Sequence, residues 1–193
     1  MKPSLVLHIC CAPDEAWVVH SLKKEYNLHC FFCNPNISPQ SEYTLRLEEA
    51  AKVAKHFGVP FTADEYDPTT WEEAIYPWRS SPEGGERCKH CFELRLRSTA
   101  RFCASNGYSD FSTVMSISPH KQIGMLHAAG NSAAAAYNVH YCHFDFKKKD
   151  GFKNSIILSK SLGLYRQDYC GCSLSRAERD KRMQQRKHPE KGI

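Results

Sequence analysis

The 193-residue chain lacks any apolar run of the roughly 18 residues that a membrane-spanning helix needs. Its first residues also lack the long apolar region and the small-residue cleavage site of a signal peptide. We see no internal repeat, low-complexity segment or linker that would divide the chain. We therefore predict a cytoplasmic protein without membrane contact, folded as a single α/β domain over residues 1–193.

Two catalytic signatures are also missing. The first apolar run ends in Cys-Cys-Ala-Pro-Asp, which contains no glycine that could surround the phosphates of a nucleotide. The Cys-x-x-x-Cys-x-x-Cys spacing of radical S-adenosylmethionine enzymes is absent as well. The sequence therefore argues against ATP-driven chemistry at this strand end and against radical chemistry of that class.

Charge is unevenly distributed along the chain. Residues 146–193 hold 13 of the 26 basic residues and 5 of the 21 acidic ones, a net charge of +8, so the first 145 residues carry a net charge of −3. A basic C-terminal quarter on a mildly acidic body favours a polyanionic partner, of which nucleic acid is the first candidate. The alternative is a solvated basic helix at the end of the chain.

Apolar runs suited to buried strands alternate with segments of helical periodicity. The predicted strands cover residues 4–10, 27–34, 59–66, 110–119 and 139–146. The predicted helices cover residues 14–26, 41–58, about 69–77, 89–107, 121–138 and 174–187, the last within a basic helical tail at 173–193. This alternation predicts a mostly parallel sheet with helices on both faces, whose ligands bind beyond the carboxyl ends of the strands.

Ten cysteines in a cytoplasmic chain indicate metal binding or catalysis rather than disulfides. Three close pairs stand at predicted strand ends or in loops, where this fold would gather a site. They are Cys10 and Cys11, Cys88 and Cys91, and Cys170 and Cys172. The other four, Cys30, Cys33, Cys103 and Cys142, are interpreted as core residues; Cys30 and Cys33 in particular would point to opposite faces of a strand.

Six thiolates exceed the four that one zinc ion or one cubane cluster accepts. The surplus favours two metal centres, or one cluster with catalytic thiols beside it. Asp14 is a candidate seventh ligand, since a carboxylate oxygen suits iron better than it suits a purely structural zinc site. The alternatives are a structural zinc site with two spare thiols, and an Asp14 that only starts a helix.

Long motifs then identify a resemblance. The segments LHICCAP, EGGERCKHCFELRL, STVMSISPHK, DFKKKDGF and LYRQDYCGCS occur in the order found in the QueH family of epoxyqueuosine reductases, up to about residue 176. The resemblance implies a Rossmann-like fold similar to ATP pyrophosphatases. It also implies reduction of epoxyqueuosine to queuosine at the wobble position of a tRNA anticodon, without cobalamin. The implied cofactors are a [4Fe–4S] cluster and an additional iron ion. A separate electron donor would supply the electrons.

By the same resemblance the six paired cysteines are the metal ligands. We also expect Cys11 to be catalytic. Many members of the family have a third cysteine where this chain has Asp14. We expect one thiol of the adjacent pair at each metal centre, with Asp14 as an oxygen donor to the cluster.

Further candidates surround these ligands. Ser116, Ser118 and Lys121 are expected to contact the substrate, and His120 to donate a proton or only to bond within its loop. Phosphates of the tRNA are expected to meet Lys147, Lys148, Lys149, Arg166 and the basic tail. Tyr165 and Trp78 could stack on a base that is turned out of the anticodon, or could pack in the core. The competing functions are a zinc-stabilised RNA-binding module and an ATP-dependent tRNA thiolase-like enzyme.

Overall fold

The computed structural model describes residues 1–187, so the part of the predicted basic tail at 188–193 lies outside the described residues. The strands are β1 (Ser4–Ile9), β2 (Asn27–Phe32), β3 (Phe61–Ala63), β4 (Asp110–Thr113) and β5 (His140–Tyr141). The helices are α1 (Ala12–Leu22), α2 (Gln40–Phe57), α3 (Pro68–Ile75), α4 (Glu86–Ser105), α5 (Ile123–Tyr137), α6 (Gly151–Ser161) and α7 (Ser173–Lys187). Short 3-10 helices follow α3 and β4.

The strands form one sheet of order β3-β2-β1-β4-β5, with every pairing parallel. From the central β1 the chain first builds outward through β2 and β3, and then returns to β4 on the other side. This reversal lies between β1 and β4, which is the position where Rossmann-like folds bind ligands. The predicted fold class is therefore confirmed, and the Cys10–Cys11 pair directly follows a strand that borders the reversal.

Side-chain alternation along β1 separates the two faces of the core. Leu5, Leu7 and Ile9 pack with residues of α1 and α2, whereas Val6 packs with residues of α4 and α5. All four are fully buried, as expected for the central strand of a parallel sheet covered on both sides. The predicted opposition of Cys30 and Cys33 is also confirmed, because each lies in a different one of these two clusters.

Local signals set several helix ends. Pro13 occupies the first turn of α1, where its missing N–H costs no hydrogen bond. Gly58 ends α2 in the left-handed conformation, at a φ of 66°, and its N–H bonds back to the carbonyl of Ala54. Both features agree with the sequence prediction.

The predicted strands were too long, most of all in the second half of the sheet. β4 ends at Thr113, whose hydroxyl accepts a hydrogen bond from the N–H of Met115 and starts a 3-10 turn. β5 has two residues, so Cys142 lies just past it and is half-buried rather than part of a strand core. These short strands are covered by packed helices. Apolar residues that follow a strand can therefore be buried under the helices even though they make no ladder hydrogen bond.

Within residues 1–187, no helix combines the length and the apolar character that crossing a bilayer requires.

Candidate metal centre

The three cysteine pairs lie at the carboxyl ends of the strands. Cys10 and Cys11 follow β1, and Cys11 is the residue that caps the N-terminus of α1. Cys88 and Cys91 lie in the first two turns of α4, and Cys170 and Cys172 lie in the segment before α7. Free backbone N–H groups at the starts of α1 and α4 favour negative sulfur nearby.

Cys10, Cys11 and Asp14 form one compact group. The Cys10 sulfur lies 3.8 Å from the Cys11 sulfur and 3.6 Å from Oδ2 of Asp14. All three ligand atoms lie within 4.8 Å of one another, which is close enough for a single ion to contact them together. Asp14 belongs to the first turn of α1, so the turn of the helix brings its carboxylate back over the strand end.

The remaining four thiols line a second, smaller cavity. Its walls include Cys88, Cys91, Cys170 and Cys172 together with the indole of Trp71. Cys170 also lines the large cleft that contains Cys10 and Cys11, so the two groups of ligands are neighbours. Among the described residues, these four sulfurs do not supply any three that fall within 4.8 Å of one another. That wider spread suits a cluster that places one iron at each thiolate better than it suits a single ion.

A buried arginine and a glycine hold the Cys170 loop. Arg46 of α2 donates to the backbone oxygens of Cys170 at 2.9 Å and Tyr169 at 3.3 Å, while its Nε pairs with Glu42 at 2.7 Å. Gly171 has a φ of 137°, and a Cβ added there would lie 3.1 Å from Nη1 of Arg46. The conformation and the close approach both require glycine.

Two cations, Lys121 and Arg95, lie beside the candidate ligands in the cleft. Nζ of Lys121 lies 2.9 Å from the Cys170 sulfur and 3.4 Å from Oε1 of Glu83, and only a tenth of its side chain is exposed. Arg95, one helical turn after Cys91, is buried and donates to the backbone oxygen of Cys33 at 3.3 Å and to the side-chain oxygen of Asn34. These charges can offset several thiolates gathered in a space of low dielectric constant.

Burial and the nearby cations shift the pKa values of the thiols in opposite directions. Burial raises the pKa of Cys91 to about 11 and also raises the pKa values of Cys88 and Cys172. The hydrogen bond with Cys11, followed by burial, raises the pKa of Cys10. Burial acts in the same direction on Cys170, but the charge and hydrogen bond of Lys121 outweigh it, so the pKa of Cys170 is lowered. Metal binding would have to displace a proton from most of these thiols.

A cleft of about 590 Å³ opens in front of the Cys10 group. Of the residues predicted from sequence, Ser118, His120, Lys121 and Arg166 line it. His120 is exposed, and its backbone N–H bonds to the hydroxyl of Ser118 at 3.3 Å. A cleft of this size is in the range that encloses one small organic ligand.

Other sequence candidates do not line this cleft. Ser116 is buried, and its hydroxyl has no hydrogen-bond partner within residues 1–187. Lys147–Lys149 belong to the turn before α6. The Tyr165 hydroxyl donates to Glu42, whereas Trp78 is exposed and stacks on His90 with ring centroids 5.2 Å apart.

Sequence reasoning missed several residues of the site, namely Glu83, Arg95, Tyr169 and Arg182, all of which line the cleft. Arg95 had a detectable signal, because a charged residue four positions after Cys91 falls on the same helix face as that ligand. Arg182 lies on α7, whose basic character was noted, but no pattern indicated that this helix reaches the cleft.

Sequence comparisons agree with the resemblance stated above. The family described as "Epoxyqueuosine reductase QueH" matches residues 5–178. A Thermotoga maritima protein named epoxyqueuosine reductase QueH is 35% identical over 179 residues, covering 91% of this chain and 92% of that protein. The Haemophilus influenzae protein of the same name is also 35% identical, covering 92% of this chain and 73% of that one.

Solved structures show the fold alone. The U34-tRNA thiolase NcsA from Methanococcus maripaludis, solved with its [4Fe–4S] cluster, matches with a TM-score of 0.57 at 12% identity, covering 97% of this chain and 68% of that one. A Methanocaldococcus jannaschii protein described as a "predicted subunit of tRNA methyltransferase" matches with a TM-score of 0.54 at 18% identity, covering 79% and 74%.

Proposed function

Because the chain belongs to the QueH family of epoxyqueuosine reductases and is therefore an oxidoreductase, we propose that it reduces epoxyqueuosine to queuosine in a tRNA anticodon with a [4Fe–4S] cluster and a single iron ion. The observation that carries this proposal is the gathering of six thiols and Asp14 around two adjoining cavities at the strand ends. The proposed chemistry does not involve cobalamin.

The side-chain positions support a specific division of ligands. Cys88, Cys91, Cys170 and Cys172 would hold the cluster, since four thiolates complete a cubane. Cys10, Cys11 and Asp14 would hold the single iron. This division differs from the sequence-based expectation that Cys10 and Cys11 serve different centres and that Asp14 serves the cluster.

The donor set fits these two groups. Three ligands on one ion leave a coordination position open, as catalytic metal sites require. The carboxylate makes the three-ligand group harder than the four-thiol group and so better suited to an iron that meets oxygen. Lys121 and Arg95 line the cleft next to the thiol cavity, and their charges lower the pKa of Cys170, the thiol that lines both.

Conversion of an epoxide to an alkene breaks two C–O bonds, forms one C=C bond and releases the oxygen as water. It therefore consumes two electrons, from an external reductant, and two protons. When bound, the cluster would pass electrons and the iron would act as a Lewis acid toward oxygen.

The protein's own residues would position the substrate and supply a proton. His120, at the cleft wall, is the candidate donor through its imidazole, and the Ser118 hydroxyl orients the His120 backbone. Cys11, which is buried at the base of the cleft, would help to keep bulk water from the reacting carbons.

Basic residues near the cleft would bind the nucleic acid. Arg166 and Arg182 line the cleft itself, whereas the ring of Tyr169, also at the cleft, already contacts the guanidinium groups of Arg46 and Arg179. An anticodon base has to leave its stack to reach the cleft, and aromatic and arginine side chains can receive it. Lys148 and Lys149, in the exposed turn before α6, would contact phosphates outside the cleft.

Two measurements test the proposal, namely the iron and sulfide content of the protein and its reductase activity. Protein purified without oxygen is expected to contain more than four irons per chain with acid-labile sulfide, and to reduce epoxyqueuosine in tRNA in a single turnover after chemical reduction. His120→Gln should keep the iron and slow that turnover by roughly 10² to 10⁴-fold, the usual contribution of general acid catalysis.

Stoichiometric zinc without sulfide in the anaerobic protein would contradict the proposal and favour a zinc-stabilised RNA-binding module. Sulfur transfer that depends on ATP would instead favour a thiolase.

A further inference from the structure

A second group of ligand-type side chains lies at the opposite end of the sheet. Asp110 is the first residue of β4, His140 is the first residue of β5, and Cys142 follows β5 directly. Asp110 and His140 are partners in the register of the parallel pair, so they are neighbours across the strands. Cys142 lies two residues after His140 in extended chain and therefore points to the same side.

The distances within this group resemble those around a tetrahedral ion. Nδ1 of His140 lies 2.8 Å from Oδ1 of Asp110 and 3.6 Å from the sulfur of Cys142. The same Asp110 oxygen lies 3.8 Å from the Cys142 sulfur. Bonds of about 2.0 Å to nitrogen and oxygen and about 2.3 Å to sulfur separate tetrahedral ligands by about 3.3 to 3.6 Å. To reach that geometry, the exposed His140 ring would rotate to lengthen its 2.8 Å distance to Asp110, and the side chain of Asp110 or Cys142 would move by a few tenths of an ångström to shorten the 3.8 Å distance between them.

Neighbouring groups hold two of these ligands in place. Oδ2 of Asp110 accepts a hydrogen bond from the Ser109 hydroxyl at 2.6 Å, which leaves Oδ1 facing the other two atoms. The N–H of Cys142 donates to the carbonyl of Phe111 at 2.8 Å, so its backbone is fixed to β4. Carboxylates that bind metal ions in proteins are commonly hydrogen-bonded in this way by a neighbouring group.

We propose that Asp110, His140 and Cys142 form a binding site for a zinc-type divalent ion, separate from the centre at the strand carboxyl ends. One nitrogen, one oxygen and one sulfur donor suit Zn²⁺, with water in the fourth position. On binding, the Cys142 thiol loses its proton to solvent and becomes the sulfur ligand. The ion links β4 to the two-residue strand β5 and thereby stabilises this edge of the sheet.

Zinc uptake by the iron-loaded protein tests the site. Parent protein and variants are incubated with ZnCl₂ without oxygen and passed through a desalting column, and zinc and iron per chain are measured together. His140→Ala and Cys142→Ser should each bind about one zinc fewer than the parent and should lose the zinc-dependent rise in Tm. The side chain of His140 is 70% exposed, so its removal leaves the core intact.

His143→Ala is the matched control, because His143 is an exposed histidine three residues away that bonds to Asn131 at 2.8 Å. It should bind as much zinc as the parent. Equal zinc in the parent, His140→Ala and Cys142→Ser would overturn the proposal, and so would zinc gained only in exchange for iron. The readout is a difference in zinc between variants, so it does not depend on the proposed reductase chemistry.

Discussion

Replacement of Gly171 by alanine should damage both the fold and the metal centre. Gly171 has a φ of 137°, where residues with a Cβ are rarely found, and the added Cβ would lie 3.0 Å from Cγ1 of Ile37 and 3.1 Å from Nη1 of Arg46. Backbone strain of this kind costs about 1–2 kcal/mol, and overpacking adds about 1–3 kcal/mol. We therefore expect a loss of about 2–5 kcal/mol in the free energy of unfolding.

The matched control is Gly163→Ala. Gly163 also has a positive φ, of 63°, but a Cβ there would meet no atom within 4 Å, so only the strain of about 1–2 kcal/mol should remain. Unfolding in urea measures both variants, and a difference of 1 kcal/mol corresponds to roughly 2–4 °C in Tm for a chain of this size.

The second readout is iron. Gly171 lies between Cys170 and Cys172, and the Arg46 that its Cβ would displace holds the Cys170 carbonyl at 2.9 Å. Gly171→Ala should therefore bind less iron per chain than the parent, whereas Gly163→Ala should bind the same amount. If Gly171→Ala is as stable as Gly163→Ala and keeps its full iron, the argument that glycine is required at this position is wrong.

Four further predictions concern single features of the molecule. Asp14→Ala should lower iron from about five to about four per chain while sulfide is unchanged, because the cubane has its own four thiolates. Asp14→Cys should restore the lost iron. Unchanged iron in Asp14→Ala would leave Asp14 as a helix-start residue. Lys121→Met removes a cation 2.9 Å from the Cys170 sulfur and should lower the reduction potential of the iron-loaded protein, on the order of tens of millivolts, and an unchanged potential would show that the pair is screened. Reversing the charges of Lys147–Lys149 should weaken tRNA binding and reduce its salt slope by about one per lost phosphate contact, and an identical slope would make this turn a solvated surface. Burial lowers the pKa of His29, so on acidification this histidine is protonated in the unfolded chain before it is protonated in the folded one. The free energy of unfolding should therefore fall as the pH drops below about 6.5. His29→Gln should lose less of that free energy between pH 8 and pH 5 in urea unfolding, and an equal loss would show that His29 does not cause the fall.

The sequence by itself determined the order of strands and helices and the place of the site. A run such as Leu5–Ile9, apolar except for His8, favours a strand buried on both faces, and Gly58 ends its helix through its own backbone freedom. Because these signals depend on neighbours in sequence, they could be interpreted without the fold. The Cys10–Cys11 pair at the end of β1 indicated candidate ligands for the same reason.

Only the tertiary structure decided which ligands share a cavity. Asp14 joins Cys10 and Cys11, while Cys170 comes from the far end of the chain to line the cavity of Cys88 and Cys91. That grouping depends on contacts such as that of Arg46 with the Cys170 carbonyl, which join residues 124 positions apart. Cys142 is a second example. The sequence predicts an isolated core residue there, whereas the pairing of β4 with β5 brings it close to Asp110 and His140. Periodicity in a sequence records which face a side chain occupies, but it contains no information on which distant side chain meets it there.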